Sequence, residues 1–447
     1  LNLELLAVPL RALRYKNQSD MSKENFQLIG SPNRALLAAT LGFFFGAMSI
    51  SLFGPTAKAL TDVMGLTPAE VGLLVAVPSL SGSLLRIPFG ASVDVNGGRK
   101  SFNFLMLCSA IGLIGLSILF STRFPENMAG LYPVILLLGC LAGCGIATFS
   151  VGVSQISYWF RKKDQGFALG VFGGLGTASA GVLAFCLPLL LKGIGFVNAY
   201  HVLTAVLIIG GILYAVFSCN APYFQLRNHG VSHEEAKQAA VEHGEELFPT
   251  GNIVESLKIS AGIPQTWLLV LTYFTTFGGF MALTAWFPTY WTRAQGLEPI
   301  TAGALTAIFS ILAALMRVPG GKFADKVGGQ KVCIGALVVV AISCALMNLN
   351  LPWFGTFLIT IVIAVAFGFN NAAVMKLVPV YVAKSVGGAS GWVGGLGAFG
   401  GFVFPIILAA VVTAYGNAGY GLGFLVFTLF AIANIVLNWL GMMRKAN

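Results

Sequence analysis

Charged side chains are scarce in this chain of 447 residues. Aspartate, glutamate, lysine and arginine together make up 9% of it, and the mean hydropathy is +0.84. A water-soluble domain carries about 25% charged residues. The composition therefore excludes a soluble globular protein and indicates a polytopic helical protein of the lipid bilayer. The net charge of +10 does not arise from one basic module, so no nucleic-acid partner is expected.

Groups that perform catalysis are equally scarce within the apolar segments. All 16 acidic residues and all four histidines fall at segment ends or in loops. Cys140 and Cys144, two of the seven cysteines, share a helix face that has no neighbouring histidine. Small packing residues are the simplest interpretation of such cysteines. We therefore expect no metal site, no cofactor and no enzyme active site.

Twelve segments are long and apolar enough to cross a bilayer, which takes about 20 residues. We number them spans 1 to 12, and the only long polar interval divides them six and six. Their predicted limits are 35–56, 69–92, 101–121, 130–153, 166–191, 198–219, 265–291, 299–322, 331–350, 353–378, 386–414 and 419–443.

The chain is thereby divided into four parts. An N-terminal cytosolic arm (1–34), in which Met21 is a candidate start, precedes a six-helix bundle (35–219). A cytoplasmic linker (220–262) then leads to a second six-helix bundle (265–443). The linker contains a capping-box pattern ahead of a short acidic helix, and it is too short to be a domain.

The basic residues indicate the orientation of the chain. If both termini are cytoplasmic, 19 of the 26 lysines and arginines lie in cytoplasmic segments. Only four lie outside, namely Lys58, Arg123, Lys192 and Arg293. Cytoplasmic loops of membrane proteins carry such an excess of positive charge. We therefore expect a multi-pass protein of the cytoplasmic membrane, with both termini inside and acting as a monomer.

Two arginines stand inside the apolar segments at equivalent positions. Residues 84–101 read LLRIPFGASVDVNGGRKS and residues 315–332 read LMRVPGGKFADKVGGQKV, so an offset of 231 residues superimposes Arg86 on Arg317. An arginine in a membrane span costs about 2.5–3.5 kcal/mol on insertion scales, and its default interpretation is functional. The repeat predicts two positive charges that face each other across a pseudo-two-fold axis. Snorkelling to the cytoplasm is the structural alternative, and it is the favoured interpretation for Lys376 in span 10.

Two further features repeat between the halves. The loops after spans 2 and 8 are expected to latch the cytoplasmic gate, because an aspartate there can accept from a neighbouring helix N-terminus. Matching glycine runs in spans 5 and 11 let helices approach closely and slide. The loop residues are Asp94, Gly97, Gly98 and Arg99 in the first half and Asp325, Gly328 and Gly329 in the second; the glycine runs are Gly173, Gly174 and Gly176, and Gly394, Gly395 and Gly397.

Arg86 and Arg317 have no acidic residue in the middle of a span as a counter-ion. Two unpaired buried cations are costly unless an anion fills the site. The planar guanidinium fork matches planar oxyanions and stays charged. A carrier returning empty would reorient with two uncompensated charges, which favours exchange of anions. Proton-coupled symport remains the alternative, although no carboxylate supports it.

Several segments carry a resemblance to a known family. The loops after spans 2 and 8 resemble those of the major facilitator superfamily. Four further segments are similar to the nitrate/nitrite porter family within it: WFRKKDQGFALG (159–170), TFGGFMAL (276–283), FNNAAVMKLVP (369–379) and GGLGAFGGFVFP (394–405). The resemblance covers residues 35–443 and implies an all-α integral membrane protein of the major facilitator fold, with twelve transmembrane helices in two pseudo-symmetric six-helix bundles.

The same resemblance implies a substrate site. In the family, nitrate lies between two arginines and aromatic rings, and matching motifs place Phe149, Tyr273 and Phe277 at those ring positions. Each phenylalanine alone is equally well an ordinary core residue. Thr177 stands where the family usually has an asparagine, and a threonine offers one donor where an asparagine offers two. Asn370 and Asn371 in span 10 are candidates to compensate for that loss.

The sequence therefore predicts a secondary transporter of nitrate and/or nitrite that works by alternating access. Arg86 and Arg317 would clamp the anion, Tyr273 would donate to it, and Thr177 would line the site. A proton-coupled nitrate symporter and a carrier of another small anion such as formate or oxalate are alternatives. A membrane anion sensor belongs to a different class, and the linker is too short to be its output module.

Overall fold

The computed structural model of the protein describes residues 28–246, 248, 252–349, 351–382 and 385–440. The candidate start at Met21 and most of the predicted arm lie outside the described residues. Within the described part, eleven helices are long and apolar enough to span a membrane, and one shorter apolar helix follows them.

The twelve helices follow the order of the predicted spans, so the predicted all-α fold of twelve spans is confirmed. Span 12 is the shorter helix; the α-helix of span 11 ends at Tyr415, and a 3-10 turn and the short helix Gly419–Leu422 lead from there to span 12. The observed bounds are Pro32–Ser51, Pro68–Asn96, Arg99–Arg123, Tyr132–Trp159, Phe167–Ile194, Phe196–Phe217, Pro264–Arg293, Pro299–Val327, Gly329–Leu349, Trp353–Val378, Gly387–Leu422 and Leu425–Asn438.

Spans 2 and 8 are interrupted at equivalent residues. Span 2 consists of the helices Pro68–Leu84 and Arg86–Asn96, and span 8 of Pro299–Leu315 and Arg317–Val327. A proline follows each arginine by two positions, and proline has no N–H to bond the carbonyl four residues earlier. The series of helical hydrogen bonds is therefore interrupted one residue before each arginine, and both arginines begin a new helical segment.

Span 7 is irregular in another way. One π-helical turn, Phe274–Gly278, separates the helices Pro264–Tyr273 and Gly279–Arg293. Such turns occur mostly as single insertions in α-helices and often at functional sites. The hydroxyl of Thr276 within this turn donates to Oδ1 of Asn371 over 2.8 Å, which ties span 7 to span 10.

The two halves are in close contact on both sides of the arginines. On the face away from the linker, a Cβ on Gly72 of span 2 would lie 2.3 Å from the Cβ of Ala409 in span 11. Towards the linker, a Cβ on Gly395 of span 11 would lie 2.5 Å from Cγ1 of Ile87 in span 2. Spans 2 and 11 thus meet where glycine leaves room, on both sides of the arginines.

The linker carries three short helices: Pro222–Asn228, His233–Glu242 and Ile253–Ala261. Ser232 caps the second of them as its sequence pattern predicts, because its Oγ lies 3.4 Å from the Glu235 amide and 2.8 Å from a Glu235 carboxylate oxygen. The third packs beneath span 11, where the amide of Gly388 donates to Oγ of Ser256.

A buried carboxyl group lies at the end of the second linker helix. The Glu245 side chain is 3% exposed, and one of its oxygens accepts from the Tyr223 amide over 3.0 Å. Its other oxygen has no hydrogen-bond partner among the described residues. Removal from water disfavours the charged form and raises the pKa of Glu245 to about 8, although the Tyr223 amide acts in the opposite direction.

This raised pKa predicts that the linker loses stability as the pH rises. Unfolded Glu245 ionises at its ordinary pKa near 4.5, while the folded group stays protonated up to about 8, so the stability falls through that interval. Glu245→Gln removes the effect and should protect amides of the linker helices by about 1 kcal/mol or more at pH 8, with little difference below pH 4.5. Hydrogen exchange against pH measures this protection, and the exposed Glu242→Gln is the matched control. Equal pH profiles for wild type and Glu245→Gln would contradict the prediction.

A candidate anion site between the two halves

Arg86 and Arg317 lie in the interior of the protein, each at the first position after the break in its span. The Arg86 side chain is 0% exposed and the Arg317 side chain is 8% exposed. Both arginines are buried in this conformation, so neither arginine snorkels. The structure brings the two predicted positive charges to one place, because both guanidinium groups lie against the ring of Phe277.

Arg86 is held by backbone carbonyl groups on three sides. Its Nε donates to the carbonyl of Gly82 over 3.0 Å, which is one turn earlier in span 2. Its Nη2 donates to Ile146 in span 4 and its Nη1 to Gly394 in span 11, each over 3.2 Å. The last bond joins the two halves of the protein. All three acceptors are neutral, so the positive charge of Arg86 is solvated but not compensated.

Arg317 is held more loosely. Its Nη2 donates to the hydroxyl of Tyr273 in span 7 over 3.2 Å. Its Nη1 faces Gly173 in span 5, where a Cβ would lie only 3.2 Å from that nitrogen. Within the described residues, the acidic side chains form no salt bridge with either Arg317 or Arg86. The structure therefore keeps two cations close together without a fixed counter-ion.

Aromatic rings fill the space around the two guanidinium groups. The guanidinium carbon of Arg86 lies 4.8 Å from the ring centroid of Phe149 and 5.1 Å from that of Phe277. The corresponding distance from Arg317 to Phe277 is 4.8 Å. Tyr273 stacks on Phe277 with centroids 4.6 Å apart. Contacts of cations with ring faces are attractive, and the rings exclude the water that would screen the charges.

Three predicted or candidate site residues are turned to other partners. The hydroxyl of Thr177 donates to the carbonyl of Gly173 over 2.5 Å, so its single proton is used within span 5. Oγ1 of Thr276 lies 3.2 Å from Oδ1 of Asn370 and 2.8 Å from Oδ1 of Asn371, and Nδ2 of Asn370 donates to the carbonyl of Cys333 in span 9. In this conformation the two asparagines therefore join spans 7, 9 and 10 and do not replace the missing donor.

The glycine runs of spans 5 and 11 make room for these groups. A Cβ on Gly397 would lie 2.7 Å from Cδ1 and 2.9 Å from Cβ of Tyr273, and one on Gly176 would lie 2.2 Å from the Phe43 ring. Gly174 is less crowded, since its nearest neighbour would be a carbonyl oxygen at 3.4 Å. Glycine is required at Gly176 and Gly397 because the aromatic rings pack directly on the backbone.

The structure also places residues at the site that the sequence did not indicate. Phe43 and Phe172 pack on Phe149, with ring centroids 5.2 Å and 5.7 Å from it. The buried hydroxyl of Ser150 has no hydrogen-bond partner among the described residues, and a Cβ on Gly394 would lie 2.9 Å from it. The only sequence signal for Ser150 is its position next to Phe149.

The loop after span 2 bridges the halves on the linker face. Oδ1 of Asp94 accepts from the hydroxyl of Tyr158 over 2.7 Å, and its Oδ2 faces Gly387 in the first turn of span 11. A helix N-terminus favours such a negative group. Gly97 has a φ of 79° and Gly98 a φ of 93°, in the left-handed region that favours glycine. Arg99 donates to the carbonyl of Ala215 at the end of span 6, over 2.8 Å.

The loop after span 8 is built differently. Asp325 pairs with Lys376 of span 10, whose Nζ lies 2.5 Å from Oδ1 of the carboxylate and also donates to the carbonyl of Ala324. Lys376 therefore points to the linker end of its span, as its position in the sequence predicts. Gly328 has a φ of 98°, whereas Gly329 has no positive φ and packs against Leu377. The gating role of both loops remains a prediction.

Sequence and structure comparisons place this chain among membrane carriers. The family described as Major Facilitator Superfamily matches residues 39–305 and 269–446. The chain is 28% identical to the "Nitrite extrusion protein" of Bacillus subtilis (strain 168), over 92% of this chain and 94% of the relative. It is also 28% identical to the "Probable nitrate/nitrite antiporter NarK1" of Thermus thermophilus, over 91% and 90% of the two chains.

Solved structures agree on the fold. The xylose transporter XylE from E. coli, in a partially occluded inward open conformation, superimposes with a TM-score of 0.70. The alignment covers 92% of this chain and all of that one, at 16% sequence identity. At this identity the likeness concerns the arrangement of the helices and not the substrate.

The packing of the glycine runs predicts which glycines tolerate a methyl group. Gly397→Ala places a Cβ against backbone-proximal atoms of Tyr273, so the hydroxyl that bonds Arg317 must move. We expect a loss of transport of about tenfold or more, since overpacking typically costs 1–3 kcal/mol. The matched control is Gly174→Ala, whose Cβ would have only ordinary van der Waals contact and which should retain transport. Transport is measured as initial rates in proteoliposomes. Equal losses of transport in both variants would contradict the prediction that only Gly397 is too crowded for a methyl group.

Proposed function

Because the chain belongs to the major facilitator superfamily, we propose that it exchanges nitrate and nitrite across the membrane by alternating access. The observation that carries this proposal is the pair of buried arginines with no acidic partner in the described residues. Relatives named as nitrate and nitrite carriers support the choice of anion. Small planar oxyanions also match the guanidinium fork in shape and charge.

The hydrogen bonds of Arg86 suggest how an anion changes the conformation. In this conformation Nη1 of Arg86 is bonded to the carbonyl of Gly394 in the opposite half. An oxyanion between the arginines competes for this donor, because in a region of low dielectric a negative charge attracts the guanidinium more strongly than a neutral carbonyl does. Its arrival releases the bond between the halves while neutralising part of the buried charge. The anion thereby couples its own binding to the movement of the bundles.

The surrounding residues define how the anion is held. Tyr273 already accepts from Arg317, and a phenol can donate its own proton at the same time. Phe149 and Phe277 cover the guanidinium groups and keep water away from them. Thr177 lines the site only after its hydroxyl leaves the carbonyl of Gly173. This reorganisation costs free energy. The arginines therefore provide most of the affinity for the anion, and Thr177 only adjusts it.

Exchange follows from the charge of the empty site. When the anion leaves, the two guanidinium charges remain in a region of low dielectric, where like charges repel and desolvation is unfavourable. A loaded site moves with a smaller net charge. Reorientation is therefore faster with an anion bound, which is the condition for obligatory exchange. We further propose that the linker face is cytoplasmic, since the excess of basic residues lies on that side.

Uptake into proteoliposomes tests this proposal. Vesicles loaded with nitrite should take up labelled nitrate, whereas empty vesicles should not, even with an imposed proton gradient. Arg86→Lys and Arg317→Lys keep the charge but lose the planar fork, and each should lower kcat/KM by roughly 10- to 100-fold. Arg34→Lys, which alters an exposed arginine at the start of span 1, is the matched control.

Three other results would each contradict part of the proposal. Gradient-driven uptake into empty vesicles would show proton symport and overturn exchange. Competition by formate or oxalate, without competition by nitrite, would identify a carboxylate carrier. Conformational changes on adding nitrate without any net flux would identify an anion sensor.

The Tyr273 hydroxyl gives a separate prediction. Tyr273→Phe leaves the stacking on Phe277 intact and removes only the hydroxyl that contacts Arg317. A hydrogen bond to a charged group contributes about 1.5–3 kcal/mol, so the KM for nitrate should rise about tenfold or more. Tyr200→Phe is the control, because that buried hydroxyl contacts Thr56 and not an arginine. An unchanged KM in Tyr273→Phe would exclude the hydroxyl from the binding site.

A further inference from the structure

A cavity of about 190 Å³ lies between the halves on the face opposite the linker. Its lining includes Lys58, which follows span 1, and Thr289 and Arg293 near the end of span 7. Trp286 also lines it and is nine residues beyond Phe277 in the same span, which corresponds to roughly 13 Å of helix. The cavity is therefore separate from the arginine site and lies between it and the face opposite the linker.

The charged residues of this cavity are predominantly basic. Lys58 and Arg293 are two of the four lysines and arginines predicted outside, and Lys58 forms no salt bridge within the described residues. Arg293 lies 3.9 Å from Asp62, and both side chains are substantially exposed. Exposed pairs at such a distance contribute little. The acidic residue Glu70 is engaged by Thr67 in a capping box, and Glu298, next to the lining residue Pro299, is exposed to solvent.

A buried hydroxyl in the same lining has no partner. Thr289 is 7% exposed, and its Oγ1 forms no hydrogen bond with the described residues. Thr292, one turn later, instead donates to the carbonyl of Pro288 over 2.8 Å. A buried polar group without a partner is unfavourable, and a ligand that accepts its hydrogen bond removes this cost. The hydroxyl and the two cations lining this one cavity together suit an anion.

We propose that this cavity is a second anion site, which receives a small oxyanion before it reaches Arg86 and Arg317. Lys58 and Arg293 attract the anion from one half each, and Thr289 donates a hydrogen bond to it once its buried hydroxyl rotates towards the cavity. This inference rests on the proposed transport function and adds an entry step to it. Its cations are exposed, so the site raises the local concentration of anions and releases them readily.

Salt dependence distinguishes such a site from a structural role. The Debye length is about 30 Å at 0.01 M ionic strength and about 3 Å at 1 M, so attraction by exposed cations operates mainly at low salt. The double variant Lys58→Gln/Arg293→Gln should raise the KM for nitrate about 3- to 10-fold at roughly 0.01 M ionic strength. The difference from wild type should nearly disappear in concentrated potassium gluconate. Thr289→Val should raise the KM at both salt concentrations, because it removes a hydrogen bond and no charge.

Sidedness gives an independent test of the location. Exchange is measured in right-side-out and in everted membrane vesicles, with nitrite inside and labelled nitrate outside. The KM should change only in the orientation in which the cavity faces the labelled nitrate. The maximal rate should stay within about twofold, because the arginine site is unaltered.

Two controls separate attraction of anions from other effects of the same residues. Arg123→Gln/Lys192→Gln removes the other two predicted outer charges, which do not line the cavity, and should leave the KM unchanged. Asp62→Asn breaks the ion pair with Arg293 but leaves both cations in place, so it should lower the KM or leave it unchanged. If Asp62→Asn raised the KM as much as the Lys58→Gln/Arg293→Gln double variant does, the ion pair would be an outer latch and the second site would be overturned.

The outcomes distinguish this inference from the proposed function. Normal nitrate exchange with an unchanged KM in the Lys58/Arg293 and Thr289 variants would overturn the second site alone. No nitrate movement in the wild-type protein would contradict the proposed function, and the entry step would fall with it. An equal KM change in the Arg123/Lys192 control would reduce the effect to overall surface charge and would also overturn the site.

Discussion

The positive charge of Arg86, solvated only by neutral carbonyl groups, is the constraint on which the rest of the structure depends. A buried cation needs donors satisfied on every side, and spans 2, 4 and 11 each present a carbonyl to it. Those carbonyls are accessible because the helices approach closely at Gly82 and Gly394 and because the ladder of span 2 breaks just before the arginine. Aromatic rings close the remaining space. The helix breaks, the glycine runs and the stacked rings thus all contribute to one requirement, which is to stabilise a buried positive charge.

The two buried arginines are held in different ways. The sequences of the two halves repeat so closely that both spans break at the same position relative to arginine and proline. Yet Arg86 is fixed by three carbonyls from the backbone, whereas Arg317 has one bond to a phenol at the end of a side chain. The loops differ as well, since Asp94 is bonded by Tyr158 and Asp325 by Lys376. Arg86 is therefore fixed by backbone groups from both halves, whereas Arg317 is bonded to a side chain of its own half.

Much of this architecture is predictable from the sequence, and the limits have physical causes. Hydropathy indicates the twelve spans, and the offset between Arg86 and Arg317 indicates which charges belong together. The direction in which a small polar side chain points cannot be predicted in this way, because it depends on neighbouring atoms within a few ångströms. Thr177 and Asn370 are therefore found bonded elsewhere, and the unpartnered hydroxyls of Ser150 and Thr289 had no signal in the sequence. The cavity at Lys58 and Arg293 requires both halves to be in place before it exists.

The π-helical turn of span 7 determines the directions in which the side chains of the following helix, Gly279–Arg293, point. Each residue of a helix advances the side-chain direction by roughly 100°, and the turn at Phe274–Gly278 accommodates an extra residue within one span. Tyr273, just before the turn, accepts a hydrogen bond from Arg317, while Thr289 and Arg293 line the distant cavity. The inserted residue rotates the segment beyond the turn relative to Tyr273 by about 100°. Residues Gly279 to Trp291 of that segment are all buried, so a regular helix in its place would present different side chains to every neighbouring span, and the packing around span 7 would have to change on all sides.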